Sequence, residues 1–107
     1  MSGEKILVVD DRRENLLFLA DSVLHSEGYE VITAMDGREA LDKALNEKPD
    51  LIITDLRMPH MDGLEMMAAL RKAEANIPVI LTTFYGSEQA AIEAFRLGAK
   101  DYIVKPY

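Results

Sequence analysis

Cysteine is absent from these 107 residues. That excludes a disulfide framework and any thiolate-held metal. Basic residues are in deficit, with 12 Lys and Arg against 19 Asp and Glu and a formal net charge of −7. An acidic globule repels phosphate backbones and anionic lipid surfaces, so direct nucleic-acid or membrane binding is not expected. No apolar run approaches the roughly 18 residues of a membrane span. Met1 to Lys5 lack the basic-then-apolar pattern of a secretion signal. The expected address is the cytoplasm. No repeat, low-complexity tract or linker divides the chain. At 49% apolar residues, it has enough to bury one core, so a single domain over 1–107 is expected.

What is present is an alternation of short apolar runs with amphipathic stretches. Ile6–Val9, Tyr29–Thr33, Leu51–Thr54, Val79–Thr82 and Tyr102–Val104 read as five strands. Continuously apolar strands point to burial on both faces. Between them, four segments repeat at helical spacing. The first carries Leu16, Leu17, Ala20, Val23 and Leu24, with Gly28 at its end. The second opens at Asp36-Gly37 and presents Ala40, Leu41, Ala44 and Leu45. The third runs from Leu64 to Lys72, with Leu64, Met67, Ala68 and Leu70 available for packing. The fourth opens at Ser87-Glu88, presents Ala91, Ile92, Phe95 and Leu97, and ends at Gly98. Strict alternation of strand and helix implies an α/β fold, a doubly wound parallel sheet. The first and third strands are the most apolar and belong at the centre. That gives the flavodoxin-like order 2-1-3-4-5.

Such sheets bind ligands beyond the carboxyl ends of the strands, where the chain reverses direction. Asp10 and Asp11 follow the first strand, and Asp55 follows the third. Three carboxylates from distant sequence therefore converge on one crevice, where their repulsion calls for a cation or protons. Oxygen ligands without His or Cys favour a hard ion, Mg²⁺ or Mn²⁺. A carboxylate beside such an ion is also a competent nucleophile toward phosphorus. Thr83 and Lys105 follow the fourth and fifth strands and share the same rim. They offer a hydroxyl donor and a compact positive charge for phosphoryl oxygens.

Val8-Val9-Asp10-Asp11, Asp55-Leu56-Arg57-Met58-Pro59, Met61-Asp62-Gly63 and Tyr102-Ile103-Val104-Lys105-Pro106 resemble the response-regulator receiver family. The likeness runs from about Lys5 to Tyr107. It implies a two-component phospho-acceptor switch, with Asp55 receiving a phosphoryl group from a histidine kinase or phosphotransfer protein. Asp11, Asp55 and the backbone carbonyl of Arg57 would hold the metal, with Asp10 acting largely through water. Thr83 and Lys105 would grip the phosphoryl group, and Tyr102 would be the switch aromatic. The resemblance also implies a cis bond before Pro106. Readout or self-association would use the fourth helix and fifth strand. The family adds a fifth helix, so the chain is expected to be a domain truncated before it. Phe84 stands where the family has a small residue. A ring there would narrow access to the phosphoryl group or alter the adjoining loop, consistent with slower phosphorylation or slower hydrolysis.

Each residue also has a plainer reading. Asp11 with Glu14 resembles a helix capping box. Asp62-Gly63 reads as turn and cap. Lys105 could be a structural partner of the carboxylates, and Tyr102 a core aromatic. Two functional rivals are distinguishable. A small phosphatase with an aspartyl nucleophile needs a second acid near Asp55, and Arg57 occupies that place. A pseudo-receiver would lack the acidic set or the lysine.

Overall fold

The computed structural model describes residues 4–18, 20, 27–58, 60–83 and 88–104. Among the described residues, five strands, β1 (Lys5–Val9), β2 (Glu30–Ala34), β3 (Leu51–Asp55), β4 (Val79–Thr83) and β5 (Asp101–Val104), alternate with four helices. The helices are α1 (Arg13–Leu17), α2 (Gly37–Glu47), α3 (Gly63–Lys72) and α4 (Glu88–Arg96). All strand pairs are parallel, and the sheet order is β2-β1-β3-β4-β5, as the apolar patterning predicts. Among the described residues no helix is long and apolar enough to cross a membrane.

Side-chain alternation sorts the sheet into two faces. Leu7, Val9, Ile52 and Leu81 enter the main core with Ala40 and Ala44 of α2 and Met66, Met67 and Leu70 of α3. Ile6 and Val8 enter a smaller cluster with Leu16 of α1, where Val31, Leu51 and Ile53 pack in half-buried. Burying a Leu or Met side chain contributes about 1.5–3 kcal/mol, so the larger face carries most of the cohesion.

Several sequence expectations change. Asp55 and Thr83 are the last residues of β3 and β4 and do not lie past them. In α3, which begins at Gly63, the buried side chains are Met66, Met67 and Leu70, which share one helical face, while Ala68 is exposed. Of the residues expected to pack from the fourth helix, Ile92 and Phe95 are 53% and 51% exposed, whereas Ala91 is half-buried and Leu97 packs against the main core. Ala94 is fully buried instead, since a small side chain lets the helix backbone approach the sheet closely. Leu45 of α2 is also exposed. The expected Ser87 cap, Val23 and Leu24, and the Lys105-Pro106 bond lie outside the described residues.

Candidate metal and phosphoryl site

The two strands that begin the site are in register. Val9 pairs with Thr54, and the next residue on each is an aspartate. Asp10 is held where β1 ends by its own N–H, which donates to the carbonyl of Ala34 at 3.1 Å. Its carboxylate accepts the N–H of Arg12 at 2.9 Å, which turns the chain toward α1. Asp11 follows, exposed, in that turn. It does not cap α1. The N-cap is Arg12, in extended backbone, and its side chain makes no cap hydrogen bond. The capping-box reading of Asp11 and Glu14 therefore falls away.

Carboxylate oxygens of Asp10, Asp11 and Asp55 lie within 4.8 Å of one another. Asp10 is 2% exposed and Asp55 7%, whereas Asp11 is open to solvent. Two buried carboxylates and one exposed carboxylate suit a hydrated dication. Mg²⁺ retains several waters and takes few protein ligands, so a cluster open on one side matches its habits. Acceptor-only oxygens are also what a hard ion needs. The donor set fits.

On the far side of Asp55, β4 supplies two consecutive buried threonines. Asp55 pairs with Thr82, whose hydroxyl donates to the Thr54 carbonyl at 3.4 Å. Thr83 comes next, 1% exposed, and pairs with Val104. Leu81 pairs with Tyr102, so alternation sets Thr83 and Tyr102 on the same sheet face as diagonal neighbours. Tyr102 is half-buried. Lys105 and Phe84 lie outside the described residues.

The loop after Asp55 is tied at both ends. Leu56 donates its N–H to Thr82 O at 2.8 Å and accepts that of Gly63 at 2.8 Å. Arg57, exposed, belongs to the excursion between them. Asp62 caps α3 by accepting the N–H of Glu65 at 2.8 Å, and Glu65 returns the contact to Asp62 N–H at 2.9 Å. A Cβ on Gly63 would stand 2.8 Å from the Asp55 carbonyl oxygen, so Gly63 is more than a turn residue. Gly37 is a second such glycine. It donates to Met61 O at 3.1 Å across from α2. Composition and strand-end logic pass over both. The signal was the Asp-Gly-x-Glu pattern at residues 36–39 and again at 62–65, each opening a helix.

A family model described as the response regulator receiver domain matches residues 6–107. The chain is 44% identical over 105 residues to the alkaline phosphatase synthesis transcriptional regulatory protein PhoP of Bacillus subtilis, spanning 98% of this chain and 43% of that protein. It is 38% identical to sporulation initiation phosphotransferase F of the same organism, spanning all of this chain and 86% of the relative. This chain therefore covers less than half of the first relative and most of the second. Among solved structures, that of the CheX–CheY–BeF3–Mg²⁺ complex from Borrelia burgdorferi superposes with a TM-score of 0.91 at 34% identity. The match covers 97% of this chain and 79% of that one.

Proposed function

The chain belongs to the response-regulator receiver family of two-component systems, and from that premise we propose that Asp55 is its phospho-acceptor, served by a divalent cation. The observation that carries the proposal is the meeting of three carboxylate oxygens within 4.8 Å at the carboxyl edge of the sheet. Asp10, Asp11 and Asp55, with the Arg57 carbonyl, would hold Mg²⁺ or Mn²⁺. When bound, that ion neutralises charge on the transferring phosphoryl group.

The chain's own residues then divide the work. A carboxylate oxygen of Asp55 attacks phosphorus as the P–N bond of a phosphohistidine donor breaks, and the electron pair leaves with the imidazole nitrogen. The Thr83 hydroxyl donates a hydrogen bond to one phosphoryl oxygen, and the Lys105 ammonium pairs with another. Thr82 is the weaker choice, because its hydroxyl is directed to the Thr54 carbonyl. Water attack on phosphorus later regenerates Asp55. This is a switch that promotes its own phosphorylation and dephosphorylation, with no separate turnover substrate.

Tyr102 shares a face with Thr83, so movement of the hydroxyl toward the phosphoryl group opens room for the ring to turn inward. Such a step shifts an existing equilibrium. Ile92 and Phe95 of α4 and Val104 of β5 are all more than half exposed. They support readout or self-association on that face. A histidine kinase or phosphotransfer protein would be the donor; one relative is itself named a phosphotransferase. The proposed address is the cytoplasm, and no direct nucleic-acid contact by this domain is proposed.

The test is intact-mass analysis after incubation with acetyl phosphate. One phosphoryl adduct is expected with Mg²⁺, and none with a chelator or in Asp55→Asn. An adduct independent of the cation would overturn the metal assignment.

A further inference from the structure

Gly37 and Met61 join two loops that the sequence separates. The Gly37 N–H, the first of α2, donates to the Met61 carbonyl at 3.1 Å. Gly37 is buried, and its φ is not in the left-handed region, so backbone freedom does not explain the glycine. Space does. A Cβ at residue 37 would overlap the Met61 carbonyl oxygen and stand 2.8 Å from the carbonyl carbon. Both are backbone atoms, which cannot rotate away as a flexible side chain can.

Met61 lies in the loop that leaves Asp55. That loop is closed at its neck by Leu56 and Gly63 and at its foot by the capping box of Asp62 and Glu65. Between neck and foot, the Gly37 N–H ties the loop to α2 by a backbone hydrogen bond, beside the packing of Met58 and Met61 on the core that Ala40 and Ala44 share. The α2 start is itself fixed, since Asp36 accepts Glu39 N–H at 2.8 Å and Glu39 accepts Met35 N–H at 2.9 Å. A rigid cap on one element thus pins the excursion of another. His60, one residue before Met61, sits at φ 69, so the excursion is bent where an unrestrained non-glycine chain would resist.

We infer that Gly37 is a positioning residue for the metal site. By clasping Met61 it holds the loop that would present the Arg57 carbonyl and that begins at Asp55. This inference rests on the proposed reading of Asp10, Asp11, Asp55 and Arg57 as the cation's ligands. It adds a group some distance along the loop that touches neither ion nor phosphoryl group. Partners that orient metal ligands from outside are worth about 10- to 100-fold in metal affinity.

The test is calorimetric titration with Mg²⁺ on wild type, Gly37→Ala, Asp36→Ala and Asp36→Asn. Gly37 bonds a loop residue and not a ligand, so Gly37→Ala is expected to weaken Mg²⁺ by about tenfold, the low end of the range for direct partners of metal ligands. At saturating Mg²⁺ its labelling rate by acetyl phosphate should return close to that of wild type, because Asp55 itself is unchanged. Asp36→Ala loosens the same clasp without adding bulk and should weaken Mg²⁺ by a smaller factor. Asp36→Asn caps nearly as well as Asp and should restore affinity. The Ala and Asn variants lose the same charge, so their difference isolates the cap. If Gly37→Ala does not fold, the Asp36 pair decides. Equal affinity of Asp36→Ala and Asp36→Asn would then overturn the inference, as would wild-type affinity in Gly37→Ala. A wild-type protein that binds no Mg²⁺ would overturn the functional reading beneath it.

Discussion

Val9 and Thr54 are register partners on β1 and β3, and each is followed by an aspartate. Parallel pairing thereby brings Asp10 and Asp55 side by side where both strands end. Two buried carboxylates adjacent to a third repel one another by between about 1 and 4 kcal/mol per pair, depending on local polarity. Removing one charge should therefore stabilise the metal-free fold. Asp10→Asn keeps an oxygen to accept the Arg12 N–H that Asp10 accepts at 2.9 Å. Its melting temperature in a chelator is expected to rise by several degrees. The stabilisation that wild type gains from Mg²⁺, about 2.7 kcal/mol at a hundredfold excess over Kd, should shrink. Thermal unfolding with and without Mg²⁺ measures both effects.

The consecutive threonines of β4 should behave differently. Thr83→Ala would remove the hydrogen bond proposed to a charged phosphoryl oxygen, worth about 1.5–3 kcal/mol. Labelling of Asp55 should slow by about tenfold or more, and the change in the Tyr102 ring resonances on phosphorylation should disappear. Thr82→Val loses only a 3.4 Å contact to the Thr54 carbonyl and should label at close to the wild-type rate. Acetyl phosphate kinetics followed by NMR separate the two. The reverse ranking would move the role to Thr82.

Helix α4 provides a test of packing. Leu81 is fully buried, so Leu81→Ala should cost about 2–5 kcal/mol. Ile92 is 53% exposed, and Ile92→Ala should stay within about 0.5 kcal/mol beyond its small change in helix propensity. Urea denaturation of the two variants checks this. A large loss in Ile92→Ala would mean that α4 is turned the other way.

Gly63 meets the end of β3 directly. A methyl there would stand 2.8 Å from the Asp55 carbonyl oxygen and 2.8 Å from Leu81 Cδ2. The leucine can shift, but the carbonyl cannot without moving Asp55. Gly63→Ala should therefore cost about 1–3 kcal/mol as an overpacked contact. Denaturation gives the cost, and acetyl phosphate labelling should slow in the same variant.

The sheet was legible because period-free apolar strands and 3.6-residue helices leave one doubly wound arrangement. The carboxylate cluster was legible because that arrangement puts strand ends together. The orientation of α4 was not. Ala91, Ile92 and Phe95 read together as the apolar face, because large side chains dominate a hydrophobic pattern and Ala94 adds little to it. Close approach to the sheet selected the smaller side chain. The second role of the two Asp-Gly pairs was hidden for a related reason. Asp36 reads as a helix opening and Asp62 as a cap, and both cap their helices. What Gly37 and Gly63 do depends on which backbone passes across them, and that is set by the tertiary fold. Asp11 shows the converse, since its local pattern suggested a cap that the chain placed at Arg12.

The most direct measurement is to locate the phosphoryl group. After incubation with acetyl phosphate and Mg²⁺, borohydride reduction converts an aspartyl phosphate to homoserine, and peptide sequencing by mass spectrometry reads its position. Homoserine at residue 55, absent when Mg²⁺ is chelated, is the result expected of a phospho-acceptor beside Asp10 and Asp11. Homoserine at another aspartate, or none under conditions where the folded protein binds Mg²⁺, would contradict it.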